Sequence, residues 1–238
     1  MSHLGGQVAL ITGGSSGIGL AIASALVKEG LCVAITARDE KRLKKAVAQL
    51  RKEGGEVIAA PGDVSKAAQV NSFVKEVISE KGRIDLLVNN AGIYLQGPID
   101  KISEADWDAV QDVNLKGAFL YTKAVLPAMR KQHSGYVVNI SSLAGKMGFG
   151  DASAYCASKF GMMALTESLM NEAAKDGIKA TAICPGYVAT PMVAHVGIPP
   201  EEMVPAEDIA KLVIDLLHLS KNTIIKEIVV NRVGAIDD

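Results

Sequence analysis

The sequence predicts an α/β protein, a doubly wound fold whose seven-stranded parallel sheet carries helices on both faces. Three observations predict it. Short apolar runs alternate along the chain with stretches of helical periodicity, which calls for right-handed crossovers and a mostly parallel sheet. The strand-like runs barely alternate in polarity, as strands buried on both faces do. A glycine-rich turn joins the first strand to the first helix, and sheets of this kind bind ligands outside the carboxyl ends of their strands.

Residues 7–12 form the first apolar run and lead into the glycines. Residues 17–29 have helical spacing, with Ile18, Ile22, Ala25 and Leu26 on one face. A second strand is expected over 31–36 and a helix over 39–53, with Asp39 as its N-cap. A third strand over 57–60 precedes a helix over 65–80 capped by Ser65. The fourth strand spans 84–89, and one long helix follows over 103–131. A fifth strand over 136–140, a long helix over 153–175 and a sixth strand over 178–184 come next. A helix over 206–219, starting near Pro205, and a last strand over 227–231 complete the alternation. No linker, charge block or low-complexity tract interrupts the 238 residues, so 1–238 reads as one domain.

Charge narrows the function classes. With 25 basic and 26 acidic residues the net charge is −1, which leaves no electrostatic footprint for nucleic acid or an anionic membrane. No apolar stretch reaches the ~18 residues that cross a bilayer. Residues 1–6 pass directly into a strand-like run, so no signal peptide is expected. Cys32, Cys156 and Cys184 are odd in number and widely spaced, which suits a reducing cytoplasm better than a disulfide framework or zinc site. His3, His133, His195 and His218 show no ligand spacing, so no metal is expected.

The glycine turn reads Thr12-Gly13-Gly14-Ser15-Ser16-Gly17-Ile18-Gly19. Missing Cβ atoms let a pyrophosphate approach the backbone, and the helix N-terminus offers free N–H groups with partial positive charge. An ordinary strand-to-helix turn is the plain alternative. The strict Gly-x-Gly-x-x-Gly spacing is not met. Farther on, Tyr155 and Lys159 lie one helical turn apart on one face. A phenol ionises near pH ~10, and an adjacent ammonium lowers that value toward working pH. The pair alone is also what any surface helix can carry.

Taken together, the turn, Asn89-Asn90-Ala91-Gly92, Ser142 thirteen residues before Tyr155, and Tyr155-Cys156-Ala157-Ser158-Lys159 resemble the short-chain dehydrogenase/reductase family. The resemblance runs from about residue 7 to residue 214. It implies a Rossmann-like single domain, usually a homodimer or homotetramer, that binds a nicotinamide dinucleotide. It places the pyrophosphate against Gly13, Ser15, Ser16, Gly17, Ile18 and Gly19. Asp63, followed by Val64, would reach the adenine. Asn90, Ala91 and Gly92 would lie beside the ribose, although the short amides of this motif also tie strands together. Pro185, Gly186, Val188 and Thr190 resemble the segment that grips the nicotinamide carboxamide. The acid of NAD-preferring members would fall at Ala37, and Arg38 occupies the place of the basic residue in NADP-preferring ones. NADP(H) is therefore the expected cofactor. Asp39 as a ribose ligand would instead favour NAD(H), the alternative cofactor.

The catalytic group implied is Asn114, Ser142, Tyr155 and Lys159. Ser142 and Tyr155 would bind a carbonyl oxygen, Tyr155 would give the proton, Lys159 would steady it, and Asn114 would hold a relay water. Ser141 is the fallback serine. The expected reaction moves a hydride between the nicotinamide and a small carbonyl or alcohol substrate, a 3-oxoacyl thioester first among them. The wall should come from 93–98, 143–151 and 187–205, through Tyr94, Leu95, Met147, Phe149, Tyr187, Met192 and His195. Charge is sparse there, which suits an apolar carbonyl compound. A thioester on an acidic acyl carrier protein would need a basic rim, for which Arg130, Lys131 and Lys175 are candidates. Two readings compete: a catalytically silent dinucleotide sensor, and an enoyl reductase, whose Tyr and Lys are spaced by seven. Where many relatives carry Asp-Gly-Gly, this chain has Val229-Val230-Asn231-Arg232-Val233-Gly234, which bears on subunit geometry rather than chemistry. The long helices over 103–131 and 153–175 are the expected subunit faces.

Overall fold

The computed structural model describes residues 4–194 and 196–235. The opening residues 1–3 and the wall candidate His195 lie outside the described residues. Seven strands form one parallel sheet: β1 (Val8–Thr12), β2 (Cys32–Ala37), β3 (Val57–Pro61), β4 (Leu86–Asn89), β5 (Gly135–Ile140), β6 (Ile178–Pro185) and β7 (Glu227–Val230), ordered β3-β2-β1-β4-β5-β6-β7. Chain order reverses between β1 and β4, and that switch point opens a crevice at the carboxyl ends.

The unbroken apolar runs have a simple cause. Successive strand residues face opposite sides, and each side is covered. Ala9, Ile11, Val33, Ile35, Leu86 and Val88 pack with α1 (Gly17–Lys28), α2 (Glu40–Lys52) and α7 (Ala206–His218). Val8, Leu10, Cys32, Ala34 and Leu87 face α3 (Ala67–Lys81), α5 (Gly117–Gln132) and α6 (Ser153–Ala173). The exception is β7, an edge strand that leaves Glu227 and Val229 exposed.

Most boundaries shift by one or two residues, and two departures from expectation have a physical cause. Ser65 does not cap α3, whose N-cap is Lys66, because Asp63 captures the Ser65 N–H and hydroxyl at 2.9 and 2.8 Å. The long helix expected over 103–131 is three pieces: α4 (Glu104–Gln111), a π-helical turn at Asp112–Lys116, then α5. Gly117 N–H donates to Asp112 O, five residues back. The bulge lets Asn114 turn inward to the backbone of Ile93 while Gly117 packs on Val64, where a Cβ would come within 2.7 Å of a methyl. Single π turns inside α-helices concentrate at functional sites. Asp39 does cap α2, accepting the Arg42 N–H at 2.9 Å.

Candidate active site

A cleft of about 810 Å³ opens at the switch point. Its floor is the glycine turn. Gly13 and Gly17 have φ of +66° and +52°, the left-handed region that side chains rarely enter. A Cβ on Gly13 would lie 2.9 Å from Asn90 Nδ2, and one on Gly17 would lie 3.1 Å from the Thr190 methyl. Asn90 straps the turn, its amide donating to Thr12 O at 3.0 Å and Gly13 O at 3.2 Å. Thr12 Oγ1 accepts the N–H groups of Asn90 and Ala91, both at 3.0 Å. Ser16 caps α1 without a side-chain hydrogen bond, so its hydroxyl leaves the first-turn N–H groups to other acceptors. The turn is thus a cradle for an anion, with room that any Cβ would fill. A dinucleotide pyrophosphate fits it.

Ser15, Ser16, Ile18, Val64, Ala91, Gly92, Pro185, Gly186, Val188 and Thr190 also line the cleft, with Arg38, Tyr155 and Lys159. Two predicted cofactor residues stand behind that lining. Gly19 is buried, and a Cβ there would strike Asn90 Nδ2 and Gly13 O, each at 2.4 Å, so its task is close helix packing. Asp63 is held by Ser65; burial pushes its carboxyl up, but the two Ser65 hydrogen bonds and the nearby Arg38 charge hold it below the usual value.

At the end of the cleft beside β2, where the adenosine is expected, Arg38, Asp39 and Arg42 are exposed around half-buried Ala37. Arg42 was not singled out from sequence, though it lies three residues past a recognisable cap.

At the opposite end, Ser142, Tyr155 and Lys159 converge on one wall. Ser142 follows β5 and caps the short 3-10 turn Leu143–Gly145, its Oγ accepting the Ala144 N–H at 3.1 Å. Tyr155 and Lys159 occupy successive turns of α6, with Lys159 Nζ 5.5 Å from the Tyr155 ring centroid. Lys159 is 4% exposed and donates to Ile140 O at 2.8 Å. Burial lowers its pKa to about 8. The expectation of a lowered tyrosine is corrected here. Burial pushes Tyr155 up to about 12, against the opposing hydrogen bond with Ser142. The Lys159 ammonium gives one of its three N–H donors to a carbonyl and lies over the ring rather than at the phenol oxygen, so desolvation dominates. Tyr94 meets Tyr155 edge to face, centroids 5.1 Å apart.

Asn114 does not line the cleft. It is fully buried; its Oδ1 accepts the Ile93 N–H at 2.8 Å, and its Nδ2 donates to Ile93 O and Ser158 Oγ, both at 3.0 Å. Ser158 Oγ donates in turn to Tyr155 O at 2.7 Å. Asn114 therefore fastens α6 to the loop after β4, with both of its N–H donors used in doing so. A relay through it would use main-chain carbonyls loosened by the π turn. Ser141 Oγ donates to Lys159 O at 3.2 Å, which leaves Ser142 as the available hydroxyl.

Among the wall candidates, Tyr94, Leu95 and Met192 line the cleft, while Met147, Phe149 and Tyr187 are exposed outside it. The expected basic rim is misplaced. Arg130 and Lys131 precede β5 and Lys175 precedes β6, at the amino ends of the strands and away from the cleft. Arg130 is moreover paired with Glu172 at 2.6 Å and Asp176 at 3.0 Å.

Comparison with known proteins gives a consistent picture. A family model described as short chain dehydrogenase matches residues 7–199. A 3-oxoacyl-[acyl-carrier-protein] reductase from Synechocystis is 40% identical over 201 residues, covering 84% of this chain and 81% of the relative. A crystal structure of a metagenomic short-chain oxidoreductase in complex with NADP superposes with a TM-score of 0.86 at 36% identity, covering 97% of this chain and 99% of the other. An actinorhodin polyketide ketoreductase with NADPH gives 0.87 at 35% identity, covering 94% and 95%.

Proposed function

The chain belongs to the short chain dehydrogenase family, and from that premise we propose that it is an NADP(H)-dependent ketoreductase acting on a small carbonyl compound or the matching secondary alcohol. One observation carries the reading. Ser142, Tyr155 and Lys159 share one end of a cleft whose other end presents Arg38 and whose floor is a glycine cradle. The relative's 3-oxoacyl substrate and the neighbours' NADP and NADPH support the same chemistry.

When bound, the nicotinamide supplies or takes up the hydride. The chain's residues do the rest. N–H groups of the turn from Gly13 to Ile18 would hold the pyrophosphate, and Arg38 would hold the 2′-phosphate. Ser142 Oγ and Tyr155 Oη bind the carbonyl oxygen, and Tyr155 Oη delivers the proton. A phenol near pKa 12 stays protonated throughout the neutral range, which suits it as the acid of a reduction. Lys159, charged below about pH 8, offsets the negative charge left on the phenolate and would hold the ribose hydroxyls. Asn114 keeps α6 and the loop after β4 in register beneath them.

The first substrate class to test is the 3-oxoacyl thioester, free and carrier-linked. Trp107, Phe119 and Phe160 stand exposed on α4, α5 and α6, which supports a homodimer or homotetramer through those helices; light scattering reads the mass. A reducing cytoplasm suits the buried, unbridged Cys32, Cys156 and Cys184, and no helix among the described residues is long and apolar enough to cross a membrane. The deciding assay follows NADPH absorbance over acetoacetyl thioesters, diketones, quinones and steroid ketones, with NADH in parallel. Turnover with NADPH preferred supports the reading. Tight NADPH binding without turnover of any class would favour a silent sensor.

A further inference from the structure

We propose that Arg42 is the second cation of the 2′-phosphate subsite, and that Asp39 clamps Arg42 there instead of selecting for NAD(H). The proposal rests on the NADP(H) reading above.

Asp39 stands at the end of β2, where a free carboxylate would accept the ribose hydroxyls and repel a phosphate. Its oxygens are already engaged. Oδ1 accepts the Arg42 N–H at 2.9 Å, and Oδ2 pairs with Arg42 Nε at 3.1 Å. Both bonds turn the carboxylate toward α2. The same contact organises the guanidinium. A guanidinium has five N–H donors in a rigid fork; with Nε spent on Asp39, Nη1 and Nη2 stay available to an anion. The Arg42 and Asp39 side chains are 64% and 46% exposed, so the fork is reachable. Arg42 and Arg38 line the same end of the cleft. A phosphate monoester carries about −1.5 to −2 at neutral pH, and two guanidiniums match it where one does not. An exposed ion pair adds at most about 1 kcal/mol to folding, so stability is a poor account of this one.

The alternative is that Asp39 and Arg42 only finish the helix end. Calorimetric titration with NADP+ and NAD+ separates the two. Glutamine keeps the helix propensity of position 42. Arg42→Gln is expected to weaken NADP+ about tenfold and to leave NAD+ within about twofold. Asparagine caps a helix as well as aspartate does, so Asp39→Asn removes the charge and preserves α2. It is expected to weaken NADP+ about threefold, with NAD+ unchanged. Equal effects of Arg42→Gln on both dinucleotides, or none on either, would overturn the proposal. So would tighter NADP+ binding by Asp39→Asn, or a loss of NAD+ binding, which would make Asp39 a ribose ligand. A wild-type protein that binds NAD+ more tightly than NADP+ would overturn the cofactor reading and this proposal together. A wild type that prefers NADP+ beside an indifferent Arg42→Gln overturns only the proposal.

Discussion

The two ends of the cleft are built on opposite principles. At the end that holds Ser142, Tyr155 and Lys159, the lysine is buried and the tyrosine half-buried. Lys159 is 4% exposed and bonded to Ile140 O, and the Tyr155 ring meets both its ammonium and, in a T-shaped contact, Tyr94. Desolvation moves both pKa values, to about 8 and about 12. At the adenosine end Arg38, Asp39 and Arg42 are exposed, and water screens what they do to one another. On the proposed reading, proton transfer would use the drier end and recognition of a hydrated phosphate would use the wet one. Substitutions should therefore cost most where charge is buried and least where it is exposed.

The largest effect is expected at Tyr155. Tyr155→Phe removes the proposed acid and keeps the ring against Tyr94, so the rate should fall at least ~10²-fold with NADPH affinity retained, as steady-state kinetics and titration would read. A near wild-type rate would remove Tyr155 from the mechanism. Lys159 comes next and gives a signature in stability. Its folded pKa near 8 lies below the unfolded 10.5, so the folded ammonium is penalised. Below about pH 8 both states hold the proton and the penalty is complete. Between pH 8 and 10.5 the unfolded chain binds more protons, so wild-type stability rises with pH, by roughly 3 kcal/mol in all. Lys159→Met lacks this slope but orphans the Ile140 carbonyl, at about 1–3 kcal/mol. Melting curves from pH 7 to 10 should show the variant close to wild type at first and falling progressively behind. A pH-independent gap would mean that Lys159 is not penalised as its burial implies.

At the wet end the effect shrinks. Arg38→Ala is expected to weaken NADPH about tenfold more than NADH, read as the ratio of KM values, with kcat little changed. Equal weakening would deny Arg38 its phosphate and blur the contrast between the two ends.

What sequence could show follows the same division. The Tyr155–Lys159 pair, the glycine turn and the β-α alternation are local patterns, and local spacing reads directly as shared faces and short turns. The convergence of Ser142 on that pair is long-range, and only the family pattern pointed to it. The π turn left no sequence mark, because it arises from Asn114 reaching Ile93 across 21 residues. A neighbouring ammonium is visible in a helical spacing, and the desolvation that outweighs it and pushes Tyr155 up is not. Charge alone groups Arg130, Lys131 and Lys175 as a rim, and the topology puts them at the other end of the strands.

The smallest expected effect also bears on the substrate. Over 93–98, 143–151 and 187–205, the segments expected to frame the mouth, Lys146 is the only lysine or arginine. It is held by both carboxylate oxygens of Glu227, at 2.8 and 2.7 Å. The pair joins the turn after Ser142 to the start of β7, with both side chains more than a third exposed. Such pairs contribute about 0–1 kcal/mol, so Lys146→Gln should lower stability by less than about 1 kcal/mol in urea unfolding. Its rate with a free 3-oxoacyl thioester should stay within about twofold of wild type, because Lys146 touches none of Ser142, Tyr155 and Lys159. The informative measurement is the same rate with a carrier-linked thioester. An acidic carrier docking at this mouth would have to take Lys146 from Glu227, and the variant would then lose carrier-linked turnover alone. Equal rates for the two forms would mean that this mouth admits the acyl group without gripping the protein that bears it.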